Sequence, residues 1–201
     1  MPLVYAIKGA QSGHLMHNYK TRATTPAGTK QLELLCRLGF GFHERCIRQV
    51  VGEPVTAWAV APSTHTPATR HLLHTVVLPT TRTLKPHGGA VGTEITLVPG
   101  PEFRRTPREW LPRMWKVGSG TDPARHHVLL LDDTWTTGGN AQSAATALRE
   151  AGASAVTILT LARWLDRNRD SVPEFIARHL AHRDLDLLHC PASSAGCPTP
   201  F

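Results

Sequence analysis

Long apolar runs are absent from this 201-residue sequence. No stretch approaches the ~20 consecutive apolar residues that a membrane-spanning helix requires, so no membrane association is expected. The opening residues, Met1 to Lys8, lack a long apolar segment ending in a cleavage site, and a cytoplasmic protein is therefore expected. Cysteine is scarce as well. Cys36, Cys46, Cys190 and Cys197 include no Cys-x-x-Cys pair and match no strong zinc signature, although the tail residues His189, Cys190 and Cys197 could join an upstream pair in space. In a cytoplasmic chain, buried reduced thiols are the simpler reading. The 12 histidines are scattered, and the adjacent His126 and His127 read as surface residues. A chain of this length is expected to form one sizeable domain, burying roughly 70% of its unfolded surface, with no second independent domain.

Positive charge is in excess. A net charge of +7 and a pI near 9.7 favour polyanionic ligands, among which RNA and phosphorylated small molecules both qualify. Arg104, Arg105, Arg108 and Arg113 cluster among Phe103, Trp110 and Trp115. Such a mixture suits a stacking surface for single-stranded nucleic acid, a mobile flap over a charged nucleotide-like substrate, or a solvated basic loop.

The densest chemical signal lies at residues 128–140, Val-Leu-Leu-Leu-Asp-Asp-Thr-Trp-Thr-Thr-Gly-Gly-Asn. An apolar run without polar alternation predicts a strand buried on both faces of a parallel sheet, with its ligand-binding edge at the carboxyl end. Ala141, Ala144, Ala145 and Leu148 then recur at helical spacing until Ala151-Gly152 stops the helix. The turn between them falls at a helix N-terminus, where bare N–H groups and the dipole favour a phosphate. Gly138 and Gly139 allow the backbone to close on an anion. Asp132 and Asp133 would repel that anion, so sugar hydroxyls or a magnesium ion are their natural partners. The plainer alternative is a solvated acidic turn before an ordinary helix.

This ordered pattern resembles the signature of the type I phosphoribosyltransferases: an apolar strand, Asp-Asp, two variable residues, then Thr-Thr-Gly. The resemblance implies that Asp132 and Asp133 contact the ribose hydroxyls of phosphoribosyl pyrophosphate and its Mg ion. It assigns the 5-phosphate to Thr134, Thr136, Thr137, Gly138 and Gly139. Asn140 stands where the family usually has Thr, and its amide can still donate a hydrogen bond. A separate family loop binds pyrophosphate; residues 61–66, including Ser63 and Thr64, look like it, and Arg70 would add charge. A plain connecting turn remains the alternative. The implied activity is transfer of the phosphoribosyl group to or from an unknown nitrogenous acceptor, with pyrophosphate exchange. The competing reading keeps the ligand without the chemistry, as a sensor of phosphoribosyl pyrophosphate or a nucleotide that binds RNA or a protein. A homodimer is compatible with either. With Tyr5-Ala6-Ile7-Lys8-Gly9 and Asn18-Tyr19-Lys20, the arrangement also resembles the competence-protein-type branch and its actinobacterial relatives, without that branch's usual amino-terminal zinc finger.

The expected architecture is α/β: a three-layer, Rossmann-like type I phosphoribosyltransferase fold with a central, mostly parallel sheet and a flexible hood or loop. It would form one domain over 1–201, with a hood at 1–50, a core at 51–182 and a tail at 183–201. Residues 1–30 read as irregular, and one or two helices follow from Gln31, broken around Gly39-Phe40-Gly41. Strands are expected at 55–61, 93–98 and 155–161, and helices from Pro67 and over 172–180. Residues 79–126 form a long, weakly patterned insertion of the kind that is usually functional or mobile, and the resemblance implies a flexible loop closing over the reacting centre, of which 103–115 is the candidate part. Trp164, just past the last strand, reads equally as a base-stacking residue or a core residue.

Overall fold

The computed structural model describes residues 1–20, 25–65, 73, 74, 76, 77, 92–105, 109–169, 171–181, 190 and 192. Seven strands are present among them: β1 (Pro2–Ile7), β2 (Ala57–Val60), β3 (Thr93–Glu94), β4 (Leu97–Pro99), β5 (Trp115–Val117), β6 (His127–Trp135) and β7 (Ala155–Leu165). Five form one sheet in the order β1-β7-β6-β2-β3, with every pairing parallel. The apolar run at 128–131 therefore occupies the middle strand, as its lack of alternation requires. The remaining two, β4 and β5, pair antiparallel beside it.

Successive side chains of β6 enter opposite layers. Leu129 and Leu131 join a core with Met16, Leu32, Phe40 and Val76, whereas Val128 and Leu130 join a second core with Ala144, Leu148, Met114 and Trp115. The first layer is built by α1 (Gln11–Lys20), α2 (Pro26–Val51) and helical residues around 73–77; the second by α3 (Gly139–Glu150) and the β4–β5 pair. The result is a three-layer α/β architecture. A further helix, α4 (Val172–His179), buries none of its residues and meets β1 through Tyr5 and Phe175, ring centroids 5.5 Å apart.

Several local expectations fail, each for a tertiary reason. The described residues among 1–30 are mostly regular: β1 completes the sheet edge beside β7, and α1 follows it. Gly39 and Gly41 do not break α2, which runs unbroken from a Thr25 cap, whose hydroxyl accepts from Gly28 N at 3.1 Å, to Gly52 at φ 89°. Gly39 lies against Leu3 of β1, so its small size serves packing, not termination. The strand expected over 93–98 divides, with β3 joining the main sheet and β4 the small one. β7 continues four residues beyond 161, taking Arg163 and Trp164 into the strand; Trp164 packs partly buried on the first core. His127 is buried, its ring nitrogens meeting Glu53 O and Thr157 Oγ1 at 3.1 and 2.8 Å. The helix expected from Pro67 is described only at 73, 74, 76 and 77, all helical.

Helix α1 is held close to the sheet by Gly13. A Cβ at this position would stand 2.2 Å from the carbonyl oxygen of Ile7, a backbone atom that cannot swing away. Gly13→Ala is therefore expected to push α1 off β1 and lower stability by ~1–3 kcal/mol, measured by urea denaturation.

Candidate functional site at the end of the central strand

Asp132 and Asp133 terminate the buried part of β6, with relative exposures of 9% and 7%. Strand alternation turns Asp133 toward the α1–α2 layer and Asp132 toward the α3 layer. The two are linked by the backbone N–H of Asp133, which donates to Asp132 Oδ1 at 2.9 Å. From the C-terminal turn of α1, Lys20 Nζ reaches Asp133 Oδ1 at 3.1 Å. Burial, and next the neighbouring Asp133 carboxylate, push the Asp132 pKa up to about 7; Lys20 and the hydrogen bond from Asp133 oppose the shift. Burial, then the charges of Asp133 and Asp132, likewise hold the Tyr19 phenol well above its ordinary range. Tyr19 and Lys20 figure in the sequence only within the Asn18-Tyr19-Lys20 stretch and with no site role, because only the packing of α1 brings them here.

Three buried hydroxyls accompany the acids. Tyr19 OH, Thr134 Oγ1 and Thr160 Oγ1 have no hydrogen-bond partner among the described residues. Thr160 is the β7 register partner of Asp132, and Thr134 lies two residues further along β6. Buried hydroxyls left unsatisfied cost free energy, so their gathering around a carboxyl pair marks an edge suited to a polar ligand.

The turn that follows leads directly into α3. Thr136 and Thr137 are exposed, Gly138 and Gly139 buried. Among the described residues, the backbone N–H groups of 136–141 donate to no protein acceptor, and α3 has no side-chain cap. Free amides at the positive end of a helix dipole are an anion-binding arrangement. The glycines, however, have reasons of their own. Gly138 has φ 86°, and a Cβ there would strike the Trp135 indole; one on Gly139 would lie 2.4 Å from the Glu109 carbonyl oxygen.

Asn140 does not hang free over this turn. Its Oδ1 accepts from Trp115 Nε1 at 2.9 Å, and its Nδ2 donates to Pro62 O at 3.3 Å. The amide thereby ties the turn to the loop after β2, which carries half-buried Ser63 and Thr64 at the same sheet edge. Ser63 Oγ accepts from His65 N at 3.3 Å. Thr66 and Arg70 lie outside the described residues.

Within 103–115, the described residues Trp110 and Leu111 bond to α3. Leu111 N donates to Ser143 Oγ and Trp110 Nε1 to Thr146 Oγ1, both at 2.9 Å. Phe103 faces the buried Trp115 at 5.3 Å, so these two rings build the core and offer no base-stacking platform. Arg113 and Arg104 pair with Glu102 and Glu109 at 2.8 and 3.8 Å, reducing the local positive charge; Arg108 lies outside the described residues.

No protein-family model and no curated protein matches the sequence. Among solved structures, the chain is similar to a hypoxanthine phosphoribosyltransferase from Staphylococcus aureus (TM-score 0.38, 12% identity, covering 70% of this chain and 65% of that one). It is also similar to a purine phosphoribosyltransferase from Pyrococcus horikoshii Ot3 (0.36, 11%, 67% and 88%). A third is the adenine phosphoribosyltransferase from Leishmania tarentolae (0.35, 13%, 69% and 72%). The chain thus spans 65% of the length of the first of these proteins. Likeness of this size assigns no activity to it. Among the described residues, no helix is long and apolar enough to cross a membrane.

The raised pKa of Asp132 has a definite consequence for stability. Between about pH 4 and about pH 7 the folded chain holds a proton that the unfolded chain releases, so stability falls as pH rises through this window. Asp132→Asn removes the titrating group. Thermal melts without ligand should match wild type near pH 4 and exceed it near pH 8, by an amount on the order of 1–4 kcal/mol.

Proposed function

We propose that this sheet edge binds phosphoribosyl pyrophosphate with magnesium and that the protein transfers the phosphoribosyl group to a nitrogenous acceptor. One observation carries the reading: two buried carboxyl groups stand at the end of the central strand, immediately before six backbone amides without a protein acceptor. A ligand that presents hydroxyls at one end and a phosphate about one turn away satisfies both, and a ribose 5-phosphate is such a ligand. In this reading Asp132 and Asp133 accept from the ribose hydroxyls, while Thr136, Thr137 and the amides of 136–141 hold the 5-phosphate. Thr134 Oγ1 and Thr160 Oγ1 are additional partners near the sugar. Ser63 and Thr64, on the neighbouring loop, face the pyrophosphate.

The donor set fits magnesium. Carboxylates are hard oxygen ligands, and a divalent cation would offset both the burial and, next to it, the Asp133 charge that raise the pKa of Asp132. Asp132 and Asp133 would hold it, directly or through water, and the ion would stabilise charge on the departing pyrophosphate. The chain's own contribution is orientation. The C1–oxygen bond breaks with its electron pair leaving on pyrophosphate, the acceptor nitrogen bonds to C1, and that nitrogen loses its proton. Holding the sugar at both ends aligns these partners, and the acids act by placement, not by attack. Lys20, paired with Asp133, occupies a position where a ligand cation would compete with it, so its side chain is expected to move aside on binding. Of the family's branches, the competence-protein-type one fits this reading, since neither implies a defined acceptor.

Isothermal calorimetry with phosphoribosyl pyrophosphate and magnesium tests the site. The double variant Asp132→Asn, Asp133→Asn should lose binding by 100-fold or more, roughly the loss expected when two charge-assisted partners are removed. Unchanged affinity sinks the assignment. Pyrophosphate release with a panel of nitrogenous bases tests the chemistry; tight binding without release would favour the sensor.

A further inference from the structure

The three described cysteines are not equivalent. Cys36 lies on α2 near Tyr19, whereas Cys46 sits nearly three turns further along the helix, with His43 one turn before it. His43 and Cys46 are 2% and 1% exposed, on the same stripe as Phe40 and Ile47. A third buried group arrives from the far end of the chain, Cys190. One ligand atom from each of these three residues lies within 4.8 Å of the other two.

We propose that His43, Cys46 and Cys190 bind a structural zinc ion, separate from the carboxylate edge of the sheet. Tetrahedral zinc, with Zn–S about 2.3 Å and Zn–N about 2.0–2.1 Å, has ligand-to-ligand edges of about 3.8 Å for two sulfurs and about 3.6 Å for sulfur and nitrogen. His43 Nδ1 and Cys46 Sγ stand 3.9 Å apart, close to that edge before any adjustment. The i, i+3 spacing on a helix sets this pair on one face, and a rigid helix keeps it there. Convergence of a residue nearly 150 positions away is what a pair of core side chains alone does not explain. Two thiolates and an imidazole favour zinc over magnesium or calcium, whose preferred ligands are oxygens. A structural zinc takes four ligands, of which these residues supply three, and their burial suits an ion that fastens residue 190 to α2. Cys197 lies outside the described residues and forms no part of this proposal.

Metal content of the intact chain, purified under reducing conditions without chelator, tests it. Plasma mass spectrometry should find about one zinc per chain, falling below about a tenth in Cys190→Ser and in His43→Gln. The Asp132→Asn, Asp133→Asn variant should retain its zinc. Because the ligand variants can fail to fold, the wild-type chain is also produced in cobalt-supplemented medium. Thiolate-to-cobalt charge-transfer absorption with tetrahedral visible bands supports the site. A folded wild-type chain free of zinc, a cobalt spectrum without thiolate bands, or a Cys46–Cys190 disulfide in its place would each overturn it.

Discussion

Two carboxyl groups are adjacent in sequence at the buried end of a central strand, and their withdrawal from water, with their mutual repulsion second to it, constrains this part of the molecule. A polar group withdrawn from water requires partners, and two like charges side by side require more than either alone. The fold answers with a backbone hydrogen bond from Asp133 to Asp132, a lysine from α1 on Asp133, and a raised pKa on Asp132. These responses are partial. Three buried hydroxyls at or near the same edge remain without described partners, and the amides beyond them are equally open. Such an edge is the basis of the proposal that the ligand combines hydroxyls, phosphate and a divalent cation.

Holding that edge together involves elements distant in sequence. β1 sits beside β7, and Gly13 allows α1 to lie on the Ile7 carbonyl; the far end of α1 then delivers Tyr19 and Lys20 to the acids. On the other face, Trp115 and the Pro62 carbonyl share the Asn140 side chain, coupling the small sheet, the β2 loop and the start of α3. The backbone of Glu109 rests on Gly139. Within the segment expected to form a loose cover, Phe103 and Trp115 instead pack into the core shared with α3, because burying their rings removes apolar surface from water.

The proposed cation sites divide by ligand chemistry. Oxygen donors cluster where the sheet meets its loops, and sulfur with imidazole clusters beneath α2. Hard and soft ions would sort between them without competition. Asp132 and Asp133 sit on the central strand and His43 and Cys46 on a helix, which keeps these donor atoms positioned before anything binds; Cys190 lies outside any helix or strand.

The amino-acid sequence by itself determined the central strand at 128–131, the helix behind it, the glycine stop at 152 and the acidic pair at the ligand edge. These signals are local: apolar runs, helical spacing and turn chemistry act within a dozen residues. Only the tertiary structure decided that residues 2–7 join the sheet, that α2 continues through Gly39, and that Asn140 bridges two loops. It also brought Tyr19, Lys20 and Thr160 to the acids and Cys190 to His43 and Cys46. Each of these depends on a partner 25 or more positions away, or on space left by a neighbouring backbone, and neither distance in space nor room to pack is written in local pattern.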